Sequence, residues 1–199
     1  MPQREYRSAQ HEGTLMSASG FVLFDTPIGH CALVWGEHGL VGVLLPEADE
    51  AATRRRLVRR FPLAGAAPPP VEVQHTIARV VALLQGAPDD LADVPLDMAG
   101  VPPFHRRVYE VARGIPPGAT LTYGEVALRL GEPHAARAVG QALGANPFPI
   151  IVPCHRVLAA GGKAGGFSAN GGIRTKLRLL QIEGAMLGGA PGLFDERAT

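Results

Sequence analysis

At 199 residues and 46% hydrophobic content, the chain has apolar surface for a real core and room for one large domain or two small ones, so a folded soluble protein is expected. No stretch approaches the roughly 18 apolar residues of a membrane span and neither end reads as a signal peptide, which predicts a cytoplasmic protein with no membrane partner. A net charge of +1 conceals an asymmetry: residues 1–99 carry 8 Lys+Arg against 12 Asp+Glu, and residues 100–199 carry 11 against 6, so any affinity for phosphates belongs to the second half and should weaken with salt.

Residues 1–18 lack hydrophobic periodicity and read as a flexible leader. Phe21–Phe24, His30–Trp35 and Leu40–Leu45 then read as three short strands joined by turn-prone Asp25-Thr26-Pro27 and Gly36-Glu37-His38-Gly39, which predicts an antiparallel meander. A basic helix is expected over Glu50–Phe61, with Arg54, Arg55, Arg56, Arg59 and Arg60 on a solvated face. Pro68-Pro69-Pro70 leads to a helix over Val71–Gln85, and Pro88–Pro102 reads as an interdomain connection holding one strand at Leu96-Asp97-Met98.

The second half reads as helical. Phe104–Gly114 places Phe104, Val108, Val111 and Ala112 at helical spacing before Pro116-Pro117-Gly118 stops it. Thr122 and Glu125 have capping-box spacing, so a helix starts there and runs to about Gly131. Pro133 is expected to open the next helix, His134–Gly144, which completes a helix-turn-helix. That second helix is lined by Ala135, Ala136, Ala138, Gly140 and Ala142; such small side chains admit a close neighbour, either a protein core or a nucleic acid. The Gly161–Gly172 segment lacks the Ser or Thr of a phosphate loop and reads as the wall of a pocket. A last helix, Ile173–Glu183, ends at Gly184, and residues 185–199 read as a tail.

Between these helices lies Ile150-Ile151-Val152-Pro153-Cys154-His155-Arg156-Val157. Pro153 biases Val152 toward extended backbone, so Cys154 is expected to emerge from a short apolar strand. A thiol reacts as its thiolate, and neighbouring imidazole or guanidinium groups favour that form. Cys154 is therefore a candidate nucleophile, although a Cys-His pair alone is also compatible with a structural role.

Thr122-Tyr123-Gly124-Glu125, Ala135-Ala136-Arg137-Ala138-Val139-Gly140, Asn146-Pro147, Pro153-Cys154-His155-Arg156, Gly165-Gly166-Phe167-Ser168 and Ile182-Glu183-Gly184 keep an order and spacing that resemble the O6-alkylguanine-DNA alkyltransferase family, over about Phe104 to Gly184. The resemblance implies an α+β protein: a small N-terminal α/β domain with antiparallel strands, ribonuclease H-like, over 19–98, and a helical C-terminal domain with a winged-helix type of helix-turn-helix over 99–184. It implies irreversible transfer of an alkyl group, mainly methyl, from guanine O6 in double-stranded DNA to Cys154, once per molecule, by a monomer without cofactor.

The same resemblance implies the site. His155 would draw the thiol proton through a water, Glu183 would hold the imidazole tautomer, and Asn146 would order the turn before the Cys segment. Arg137 would fill the gap left by an extruded base, Tyr123 would meet the 3′ phosphate, and Ala135, Ala136 and Gly140 would let the helix enter the minor groove. Val157 and Ser168 would offer backbone groups to the base, with Leu143 and Phe167 as apolar wall. Phe167 stands where relatives often have Tyr, His105 where Gln is common, and Ala145 where Gly or Arg is frequent.

Cys31 and Cys154 are expected to remain reduced. His11, His30, Cys31 and His75 show no ligand spacing, so no metal is predicted. Three rivals follow from the same residues: a lesion-binding alkyltransferase-like protein, in which Trp commonly replaces the acceptor Cys; a helix-turn-helix redox regulator, which would need polar base-reading residues on 134–144; and a thiol hydrolase, which would need an oxyanion hole.

Overall fold

The computed structural model describes residues 18–185; the expected leader, apart from Ala18, and the tail beyond Ala185 lie outside them. Strands β1 (Ala18–Thr26), β2 (Gly29–Gly36) and β3 (Gly39–Leu44) form the expected antiparallel meander, and β4 (Gly65–Ala66) pairs parallel to β1, so the sheet order is β3-β2-β1-β4. Gly39 opens β3 at φ +124°, and a Cβ there would lie 2.6 Å from the carbonyl oxygen of Pro95, so the turn and the close approach both require glycine.

Alternation along β2, and along β3 once a register shift opposite Val34 and Trp35 is allowed for, assigns the two faces. Cys31, Leu33, Trp35, Leu40 and Val43 point into the main core, whereas Ala32, Val34, Val41 and Leu44 meet Leu57 of helix α1 (Glu50–Arg60) and its C-cap residue Phe61 in a second cluster. Burial on both faces explains why β2 reads as an unbroken apolar run. Helix α2 (Val71–Leu84) covers the main-core side with Val73, Val80, Leu83 and Leu84.

The expected strand at Leu96–Met98 does not form. Leu96 makes a single bridge to Leu40, and Asp97 then turns its carboxylate onto the amide of Ala99 at 2.9 Å, which carries the chain out of register.

Helix α3 (Pro103–Arg113) buries Val108, Tyr109 and Ala112 against Val126 and Ala127 of α4 (Tyr123–Arg129) and Val139, Ala142 and Leu143 of α5 (Ala136–Gly144). Both halves of the Thr122–Glu125 capping box are made. α4 ends in a Schellman motif around Gly131 (φ +74°), with the Glu132 amide bonded to Ala127 O and the Gly131 amide to Leu128 O, each at 3.0 Å. Arg107 fastens the following turn through Glu132 and Leu130 O. Pro133 does not open α5: it occupies a turn closed by the Ala135 amide on Glu132 O at 2.9 Å, and α5 starts at Ala136.

A parallel pair, β5 (Leu121–Thr122) with β6 (Val157–Leu158), joins the start of α4 to the segment after Cys154. Helix α6 (Ile173–Ile182) closes the chain's described part. Among the described residues, no helix is long and apolar enough to cross a membrane, and no group of three or more His, Cys, Asp or Glu could hold a metal ion.

Candidate active site around Cys154

The backbone that delivers the thiol is a coil of turns rather than the expected strand. Ile150 is held at φ +77°, a region disfavoured for a β-branched residue, while wholly buried; the Val152 amide returns to Phe148 O at 2.8 Å, and Cys154–Arg156 form one 3-10 turn. Asn146 locks this coil from outside. Its amide nitrogen donates to Val152 O and its oxygen accepts from the Phe148 amide, both at 2.9 Å.

The thiol borders a cavity of about 530 Å³ shared with Tyr123, Ala136, Arg137, Gly140, Leu143, Gly144, Gly166, Phe167 and Ser168. Eight of the residues expected from sequence thus meet around one space: Cys154, Tyr123, Ala136, Arg137, Gly140, Leu143, Phe167 and Ser168. Ala135 caps the start of α5 outside this lining, and Val157 is buried behind it. The Gly161–Gly172 segment supplies one wall, as expected.

His155 and Glu183 come together although 28 residues separate them. The Nε2 of His155 lies 2.9 Å from Glu183 Oε1, with side chains 1% and 4% exposed. Arg156 completes the group: its Nε and Nη2 each donate to Glu183 at 2.8 Å, and its Nη1 donates to Ile115 O. Burial alone would raise the Glu183 carboxyl, but hydrogen bonds from His155 and Arg156 outweigh it and hold it at about 2. Burial keeps the imidazole below its ordinary value against the pull of Glu183, so His155 is neutral at pH 7.

A neutral ring that donates Nε2–H to a carboxylate carries its lone pair on Nδ1. That Nδ1 is buried and makes no hydrogen bond within the protein. Burial raises the thiol of Cys154, opposed by Asn146, the charge of Lys176 and the amides of Cys154 and His155. The resting sulfur is therefore a protonated thiol that needs a base, and an imidazole with a free basic nitrogen occupies the same turn.

Three contributors escaped the sequence reading. Arg156 was seen as a neighbouring cation, not as the second anchor of Glu183. Lys176 is wholly buried, donates to Val157 O at 2.6 Å and lies 5.8 Å from the centre of the Tyr123 ring; its spacing from Leu180 and Glu183, four and seven residues, put it on the same helix face and could have revealed it. The arginine-rich face of α1 is only partly solvated: Arg54, Arg55 and Arg59 are exposed, but Arg56, paired with Glu47, and Arg60, over the Phe61 ring, border a second cavity, of about 30 Å³, that Cys154 also lines. These two reach across from the sheet half, a juxtaposition that helical periodicity could not show.

Residues 103–185 match the family model described as 6-O-methylguanine DNA methyltransferase, DNA binding domain. The chain is 36% identical over 163 residues to the methylated-DNA–protein-cysteine methyltransferase of Methanothermobacter thermautotrophicus, covering 82% of this chain and 84% of that one. The crystal structure of Mycobacterium tuberculosis O6-methylguanine methyltransferase superposes with a TM-score of 0.65 at 36% identity, covering 83% of this chain and 92% of the other. The structure of the M. tuberculosis protein in complex with DNA gives 0.62 at 34% identity with the same coverage.

Proposed function

The chain belongs to the O6-methylguanine-DNA methyltransferase family, and from that premise we propose that it repairs DNA by direct reversal, moving the alkyl group of an extruded O6-alkylguanine, chiefly methyl, onto Cys154. The observation that carries the reading is the convergence of a thiol, an imidazole with a free buried Nδ1 and its Glu183 anchor at a cavity bordered by the small-residue helix α5.

The roles are those the family resemblance implies, and the geometry supports them. His155 Nδ1 takes the thiol proton through a bridging water, and Glu183 stabilises the imidazolium without itself being protonated. The sulfur attacks the alkyl carbon in line; a C–S bond forms, the C–O6 bond breaks, and its electron pair leaves with guanine, which gains a ring proton aided by Tyr123. The thioether has no comparable leaving group, so each molecule reacts once. Ala135, Ala136 and Gly140 allow α5 into the minor groove, Arg137 fills the space of the extruded base, Leu143 and Phe167 form the apolar wall, and backbone groups of Val157 and Ser168 face the base edge. Asn146 holds the turn that aims the sulfur.

The sheet order β3-β2-β1-β4 with a parallel fourth strand supports a ribonuclease H-like first domain over 19–98, and the β5–β6 pair beside α4 and α5 supports a winged-helix type of second domain over 99–184. The protein acts as a cytoplasmic monomer on double-stranded DNA. Incubation with duplex DNA carrying labelled O6-methylguanine should leave at most one label per molecule, on Cys154, and Cys154→Ser should bind DNA without acquiring label. Repeated turnover, or label elsewhere, overturns the assignment.

A further inference from the structure

Two cavities meet at the sulfur. Cys154, Leu143, Phe167 and Ser168 line both the large one, of about 530 Å³, and the second one, of about 30 Å³, so these residues form the boundary between them. The second cavity is closed on its other side by the sheet half of the chain, through Val43, Leu45, Arg56 and Arg60. Transfer of a methyl group, as described above, makes no use of it.

The polar groups on this second cavity are not equally committed. Arg56 is paired with Glu47, and the Asn146 side chain spends its nitrogen on Val152 O and its oxygen on the Phe148 amide. Arg60 is different: it is half-buried, its guanidinium carbon lies 5.4 Å from the centre of the Phe61 ring, and among the described residues it pairs with no carboxylate. A guanidinium stays charged at any working pH, and its planar fork of N–H donors matches a carboxylate. The size agrees as well. A cavity needs about 10–15 Å³ for each water-sized group, so about 30 Å³ holds two, the number of oxygens in a carboxylate.

Resting on the alkyl-transfer reading, we propose that Arg60 is a specificity-determining residue: the second cavity receives the anionic end of an alkyl group, so the protein accepts O6-carboxymethylguanine in preference to a neutral group of the same size. Carboxymethyl is the smallest alkyl group that ends in a carboxylate. In an in-line displacement the sulfur, the attacked carbon and O6 lie on one line, and the substituent on that carbon projects sideways, to the boundary where Arg60 waits. The C–S bond forms, the C–O6 bond breaks, its electron pair leaves with guanine, which gains a ring proton, and the carboxylate passes through unchanged to leave S-carboxymethylcysteine. A thiolate and a carboxylate repel each other at this distance, and the Arg60 charge offsets that repulsion where no water competes for it.

The test compares the parent with Arg60→Met, which keeps the apolar stem without charge, and Arg60→Lys, which keeps the charge. Limiting single-turnover rates are measured on duplex DNA carrying O6-carboxymethylguanine or its neutral isostere O6-carbamoylmethylguanine. The ratio of the first rate to the second should be at least about tenfold higher in the parent than in Arg60→Met, and Arg60→Lys should recover most of it. The same two adducts form without DNA, since iodoacetate leaves carboxymethyl and iodoacetamide leaves carbamoylmethyl on Cys154. Rates for these reagents, mapped to Cys154 by mass spectrometry, are compared on the plateau above the alkylation midpoint, the pH of half-maximal rate, so that a changed thiolate fraction does not enter. Their ratio should fall in Arg60→Met in the same direction. A folded Arg60→Met with parental ratios overturns the proposal, and so does an equal loss on both DNA substrates, which would place Arg60 at the DNA backbone or in packing alone. Arg60→Gln carries the test should Arg60→Met not fold. A parent that transfers methyl but not carboxymethyl also overturns the proposal; a parent that transfers nothing from DNA rejects the functional reading instead, while the iodoacetate-to-iodoacetamide ratio still reports on Arg60.

Discussion

Replacing Glu183 by Gln removes a charge on which two buried groups depend. Glu183 accepts from His155 at 2.9 Å and twice from Arg156 at 2.8 Å, and the Arg156 guanidinium is wholly out of solvent. Despite burial, which acts upward, its hydrogen bonds hold the carboxyl at about 2 against an ordinary 4.5. A displacement of that size is worth roughly 3 kcal/mol of folding free energy. Removing one side of a buried ion pair costs about 3–5 kcal/mol on independent grounds, so the variant should lose about 3 kcal/mol at neutral pH. Because the folded carboxyl is depressed, its stabilisation is fully present above the ordinary 4.5 and disappears as the pH falls through about 2. Urea unfolding of parent and variant, followed by fluorescence of Trp35 over a pH series, should show a gap that is constant above pH 4.5 and closes toward pH 2. A gap below about 1 kcal/mol at neutral pH, or one undiminished in acid, would refute the argument.

Asn146→Ala loses the bonds to Val152 O and the Phe148 amide and should cost about 2 kcal/mol in the same unfolding assay, with the alkylation midpoint of Cys154 displaced upward. Arg137→Ala should slow methyl transfer from duplex DNA by about tenfold or more, since extrusion costs a few kcal/mol, yet leave transfer from a free O6-benzylguanine base unchanged; equal losses on both substrates would contradict its role at the DNA. Cys31 is wholly buried, and that burial pushes its thiol up to about 12, so iodoacetamide should modify Cys154 alone in the native protein and both cysteines in urea, counted by intact mass.

The meander, the helix limits within a residue or two, the Thr122–Glu125 cap and the helix-turn-helix were legible because alternation, helical spacing and capping are local properties of the chain. Where local signals misled, a competing turn prevailed: Pro133 entered the Glu132–Ala135 turn, Asp97 took the Ala99 amide, and Ile150–Val152 coiled instead of extending. The identity of Cys154 as a candidate nucleophile came from residue chemistry, whereas the partnership with Glu183 came from resemblance alone.

What the chain by itself determined is therefore its inventory: which segments are helix or strand, which half is basic, and which residue can act as a nucleophile. Only the tertiary structure decided which nitrogen of His155 is free, that Arg156 and His155 share one carboxylate, and that Lys176 is buried with its ammonium on the Val157 carbonyl. Those facts depend on burial and on contacts between residues 19 to 41 positions apart, as in Lys176 to Val157 and Arg156 to Ile115. Periodicity extends over a few turns of backbone, but desolvation and charge pairing are set by whatever the fold brings next to a group.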